Sequence, residues 1–214
     1  MNVAFDEIDF TVLLPEHLRG SESKDQLKNA LKQFHVSEKT EKVNYADFYT
    51  SKLQDYFLQG DLISEVRFPK LDRVSYTFEK AFTTAVIISN TCDIAKDNER
   101  KIISKECLFA PVITLEGYVD SLKNSGRTEQ QILNHKQELF GQKISNLFYL
   151  PFKDNWEDGN LALLDQMFWF PTDELNNFDV SSDRVSCFDQ FGFYLFVLKI
   201  SYHLCQLPEQ PDRV

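Results

Sequence analysis

The chain has 214 residues, 43% of them hydrophobic, with 19 Phe, 8 Tyr and 2 Trp against 7 Gly and 7 Pro; this is enough apolar bulk for a self-sufficient core and excludes a disordered or fibrous protein. A formal charge of -10 opposes nonspecific attraction to phosphate, because nucleic-acid affinity comes mainly from Lys and Arg displacing counterions. The longest apolar run, residues 191–198, falls well short of the roughly 20 residues a membrane span needs.

The start, MNVAFDEIDF, has acids where a secretory leader carries Lys or Arg, and no apolar stretch follows them. A cytoplasmic location is therefore expected. The four cysteines, Cys92, Cys107, Cys187 and Cys205, show no CxxC or zinc-ribbon spacing and read as free thiols. Three sit among apolar neighbours and read as small core residues, with Cys92 the exception.

In chain order, residues 5–14 read as a short strand stopped by Pro15. A capping-box start at residues 23–26 then leads into Leu27, Ala30, Leu31 and Phe34, the stripe of an amphipathic helix. A second helix is expected from Asn44, with the stripe Tyr45, Phe48, Tyr49, Leu53, Tyr56 and Phe57, ended by Gly60. From Asp61 the period becomes two: Leu62, Ser64, Val66 and Phe68 alternate with Ile63, Glu65 and Arg67, a half-buried strand closed by Pro69. Residues 70–84 read as a long charged connection.

Two β-branched runs, 85–89 and 107–115, form the expected central strand pair. Thr128 with Gln131 opens a helix inside a helical insertion at 120–146, and strands are expected at 147–152 and 161–170. The last element, 186–207, is an apolar helix. The predicted architecture is α+β: one elaborated domain, 1–214, with a helical extension at 1–59, a small antiparallel sheet or barrel at 60–172 and the carboxy-terminal helix across it.

Gly60-Asp61-Leu62-Ile63 opening the first strand, the apolar strand ending in Ser89, and Leu164-Asp165-Gln166 opening a late one resemble the MazF/PemK-like toxins. That resemblance covers residues 60–171 and implies an SH3-like barrel. It also implies a ribonuclease reading, with Arg67, Arg73 and Thr91 as phosphate-contacting groups. The chain departs from the family in having Thr83-Thr84 where the toxins have Arg-Pro, and in its Thr91-Cys92-Asp93-Ile94 turn.

Residues 90–93 are the densest cluster of reactive groups in the chain. Cys92 reads either as a nucleophile or as a small side chain shaping a tight turn, and the four histidines, His17, His35, His135 and His203, are all remote in sequence. Asp93 and Asp97 lack the further ligands a metal needs, so neither metal nor cofactor is expected. The favoured role for Asp93 is structural: an Asx-turn acceptor, or a partner for Arg67 or Arg73 that fixes a recognition loop. The candidate site is thus Thr91, Cys92, Asp93, Asp97, Arg67, Arg73 and Asp165. The expected function is a non-enzymatic recognition module for a protein partner, with a MazF-like endoribonuclease as the alternative.

Overall fold

The computed structural model describes residues 43, 45, 46, 48–72, 74–95, 106–153 and 158–205. The strand expected at 5–14 and the helix expected at 23–34 lie outside these residues. The described part is α+β, with a seven-stranded antiparallel sheet. Its strands are β1 (Leu62–Asp72), β2 (Thr77–Ile87), β3 (Glu106–Thr114), β4 (Leu147–Leu150), β5 (Asn160–Leu163), β6 (Phe168–Pro171) and β7 (Arg184–Ser186). They pair in the order β4-β5-β3-β2-β1-β7, with β6 also on β3. The helices are α1 (Thr91–Ile94), α2 (Leu115–Asn124), α3 (Glu129–Phe140), α4 (Thr172–Leu175) and α5 (Gln190–Leu204).

Alternation along the strands gives the sheet two apolar faces. Leu62, Val86 and Ala110 share one core with Phe148 and with Leu195, Phe196 and Ile200 of α5. Ile63, Ile87 and Phe109 face the other way, under a cover of Phe57, Ile94, Phe170 and Leu175. Helices α2 and α3 close a third cluster over β4 and β5, built around Leu115, Leu139 and Leu161. The capping box read at Thr128 and Gln131 is formed, and it starts α3.

Several expectations are corrected. The insertion holds two helices, because Thr114 caps α2 directly at the end of β3. No helix spans 48–60; Phe48 and Phe57 enter different cores, and Tyr49 makes a bridge with Phe188. Aromatic residues are mediocre helix formers, and here tertiary packing overrides their spacing. Pro69 does not end β1, since β7 pairs only with Leu62 and Ile63, leaving the far half of β1 as an edge where proline is tolerated. The expected connection at 70–84 is instead the tip and second strand of a long β1–β2 hairpin.

The strand expected at 161–170 is split into β5 and β6 by a 3-10 turn, Leu164–Gln166. Leu108 directs its N–H to Ser89 and its C=O to Ile88, so the alternating Pro111 faces β5 and β6 without a donor to offer. The ladder breaks there.

Among the described residues β4 and β7 do not pair, so the sheet these residues form is open. The gap is spanned by residues 48–50. Thr50 N–H donates to Cys187 O (3.0 Å), Asp189 N–H to Phe48 O (3.0 Å) and the Tyr49 hydroxyl to Pro151 O (3.2 Å). Lys153 Nζ completes the link with donations to Val185 O and Ser186 Oγ, both at 3.2 Å. Gly192 lets α5 approach this segment, because a Cβ there would lie 2.4 Å from Phe48 O.

Candidate functional site

The sequence-predicted residues fall in three separate places. The first is the turn after β2. Asn90 is the N-cap of α1, its side chain accepting the Cys92 N–H at 3.0 Å. Thr91 Oγ1 accepts the Gln59 N–H at 3.0 Å, and Gln59 Nε2 donates to Ile88 O at 2.8 Å, so this turn is tied to the chain before β1. Cys92 and Asp93 are exposed. The Asx acceptor is therefore Asn90 and not Asp93, whose side chain makes no hydrogen bond or ion pair among the described residues. Asp97 lies outside the described residues.

The second place is the β1–β2 hairpin and its foot. Arg67 stands opposite Phe82, and its guanidinium is 4.0 Å from Glu174 on α4, so the partner proposed for it in Asp93 is replaced by Glu174. Arg73 lies outside the described residues. At the hairpin's foot a cleft of about 290 Å³ is lined by the acids Glu65, Glu174 and Asp183, by Phe82, Phe170 and Phe178, and by Arg67. Glu65 sits in a β-bulge between Ile63 and Val66, with φ 56°. Bulges of this kind re-aim side chains, and a non-glycine residue in the left-handed region stores strain. Asp183 is already engaged, accepting from Asp179 N–H (2.7 Å) and Ser182 Oγ (3.2 Å).

Beyond its foot the hairpin projects as a two-stranded arm. β3 pairs with β2 only over residues 84–87, and β7 reaches only Leu62 and Ile63 of β1. Phe78 and Phe82 on β2 are 73% and 62% exposed, and Val74 and Tyr76 at the tip are more exposed still. The third place is Asp165, exposed on the 3-10 turn and accepting from Asn146 Nδ2 at 3.1 Å. Among the described residues no hydrogen bond or ion pair joins any two of these three places.

Sequence reasoning missed two buried polar groups. Asp61, the acid of the Gly60-Asp61-Leu62 stretch, and Arg184 are both buried and lie 2.8 Å apart. Arg184 also donates to Gln54 O (2.8 Å) and to Tyr56 O, and lies over the Phe57 ring. Burial pushes the Asp61 carboxyl above its ordinary range, opposed by hydrogen bonds from Cys187 and Leu58 and by the Arg184 charge. The Cys187 thiol is in turn pushed up to about 12 by burial and by Asp61, and burial takes Cys107 up to about 11. These two are inert core thiols, as expected, but Cys205 is exposed.

Lys199 is the second group. It sits fully buried on the apolar α5, its Nζ donating to Gln142 O. Burial alone lowers it to about 8. Gln142 is buried with φ 56°, and its side chain exchanges hydrogen bonds with the main chain of Tyr149 and donates to the Tyr45 hydroxyl.

Among the described residues no group of three or more His, Cys, Asp and Glu side chains forms a metal centre, and no helix is long and apolar enough to cross a membrane. No protein-family model and no curated protein matches the chain.

Proposed function

We propose that this chain is a non-enzymatic recognition module that binds a protein partner through the β1–β2 arm. The observation that carries this reading is the exposure of Phe78 and Phe82 on a ribbon whose β2 edge, over residues 77–83, no other described strand pairs. Exposed aromatic patches rimmed by charge are the common mark of a protein-contact surface. The charges here are of both signs, with Arg67, Lys70 and Lys80 on the arm and Glu65, Glu174 and Asp183 at its foot. Phosphate would meet the acids beside the cations.

The scatter of Thr91, Arg67 and Asp165 supports a binding role over catalysis, since a nuclease needs its groups to converge on one phosphate. For the scaffold we retain the SH3-like, MazF/PemK-like barrel as the reading. Its support is the bridging of the sheet's two free edges by residues 48–50 and Lys153. The endoribonuclease alternative draws on the cations and aromatics of the arm, a combination that also suits single-stranded RNA.

Labelled single-stranded RNA separates the two readings, followed by anisotropy and by gel at physiological salt. Protein recognition predicts neither saturable binding nor cleavage. Binding or cleavage that disappears in Arg67→Ala or Lys80→Ala would overturn it in favour of the nuclease.

A further inference from the structure

We propose that the partner of the arm is a second copy of this chain, joined antiparallel through the open edge of β2 at residues 77–83. This rests on reading the arm as a protein-recognition surface and names the partner. Among the described residues no strand pairs with that edge, because β3 leaves β2 before Thr83. An unpaired edge is a template for another strand. The β1 edge of the same arm carries Pro69, which lacks a donor, so β2 is the edge equipped to pair.

The sequence of this edge is Thr77-Phe78-Glu79-Lys80-Ala81-Phe82-Thr83, close to a mirror image about Lys80. A two-fold axis through Lys80, perpendicular to the sheet, is the isologous arrangement two identical strands adopt. It sets Phe78 opposite Phe82 of the copy, twice, and Thr77 opposite Thr83, twice. Phe78, Lys80 and Phe82 share one face by strand alternation, so both aromatic pairs form on the same side. On the other face Glu79 meets Ala81, which avoids a like-charge pair. The two Lys80 side chains meet at the axis as the one like-charge pair of this register, and their long stems let the ammonium groups splay apart over the phenyl rings. Pairing turns a two-stranded ribbon, marginal by itself, into a four-stranded sheet.

The test is sedimentation velocity across the micromolar range, together with cysteine cross-linking in a Cys92→Ser, Cys205→Ser chain. The wild type should move from monomer to dimer with concentration, and Phe78→Ser/Phe82→Ser should stay monomeric with the melting temperature of the dilute wild type. Lys80→Cys should give a covalent dimer on mild oxidation. Thr77→Cys should not, because this register holds the two copies of residue 77 about 20 Å apart, six residues at roughly 3.3 Å each. A monomer at every concentration, a dimer indifferent to the Phe substitutions, or equal cross-linking at both positions would overturn the proposal. A monomer that binds no RNA would leave protein recognition standing with a different partner; a monomer that cleaves RNA would sink both.

Discussion

Asn90 and Asp93 divide between them what the sequence assigned to one residue. Both are short polar side chains at the end of an apolar strand, and pattern alone does not say which of them starts the helical turn. The hydrogen bond from Cys92 N–H decides for Asn90. Asn90→Ala should therefore cost about 1 kcal/mol, the usual loss for an N-cap, while Asp93→Ala should leave the melting temperature nearly unchanged. Thermal unfolding of the two variants checks this, and the reverse order would return the structural role to Asp93. Lys199 makes a second residue-scale forecast. Its folded value, lowered to about 8, lies below the ordinary lysine value near 10.4. Between these values the unfolded chain holds more protons than the folded one, so the wild type gains stability as pH rises through that window. Lys199→Met removes the buried charge. It should melt higher than wild type at pH 7, and its advantage should shrink toward pH 10; an advantage that does not change with pH would show that Lys199 reaches water.

Elements that carry strong local signals were legible. The Thr128/Gln131 capping box set the start of α3, and the β-branched runs marked the ends of β2 and β3 that pair across the core. What the sequence hid was long-range. The aromatic stripe from Tyr45 to Phe57 has helical spacing, yet Phe48 and Phe57 enter two cores on opposite faces of the sheet while Leu53 and Tyr56 are exposed. Strand β7 is three residues long and carries Arg184, whose partner Asp61 lies far back in the sequence. No window-sized pattern contains that pair. Its weight follows from burial: Arg184→Met strands the Asp61 carboxylate in the core and should cost about 3–5 kcal/mol, whereas an Asp61→Asn/Arg184→Met double variant should recover a large part of the loss. Urea unfolding of the single and double variants tests this, and equal losses would show that Arg184 acts through Gln54 and Tyr56 rather than through the charge.

At the scale of the molecule, an apolar interior on both faces of the sheet holds a scaffold from which one ribbon stands out. Residues 48–50 and Lys153 tie the β4 and β7 edges of the sheet together. The arm keeps Tyr76, Phe78 and Phe82 in water. Of the candidate residues, Arg67 was found in sequence through its place on an alternating strand, but Phe78 and Phe82 were missed because residues 70–84 read as a connection. Alternation is weak where both faces are solvated, and the arm is such a place.

Amide hydrogen exchange at low and high protein concentration tests the role of the arm most directly. Amides within residues 77–83 should exchange quickly when the protein is dilute and slow markedly when it is concentrated, with the rest of the sheet unchanged. Exchange in this stretch that ignores concentration, or slowing confined to the turn at Thr91, Cys92 and Asp93, would contradict it.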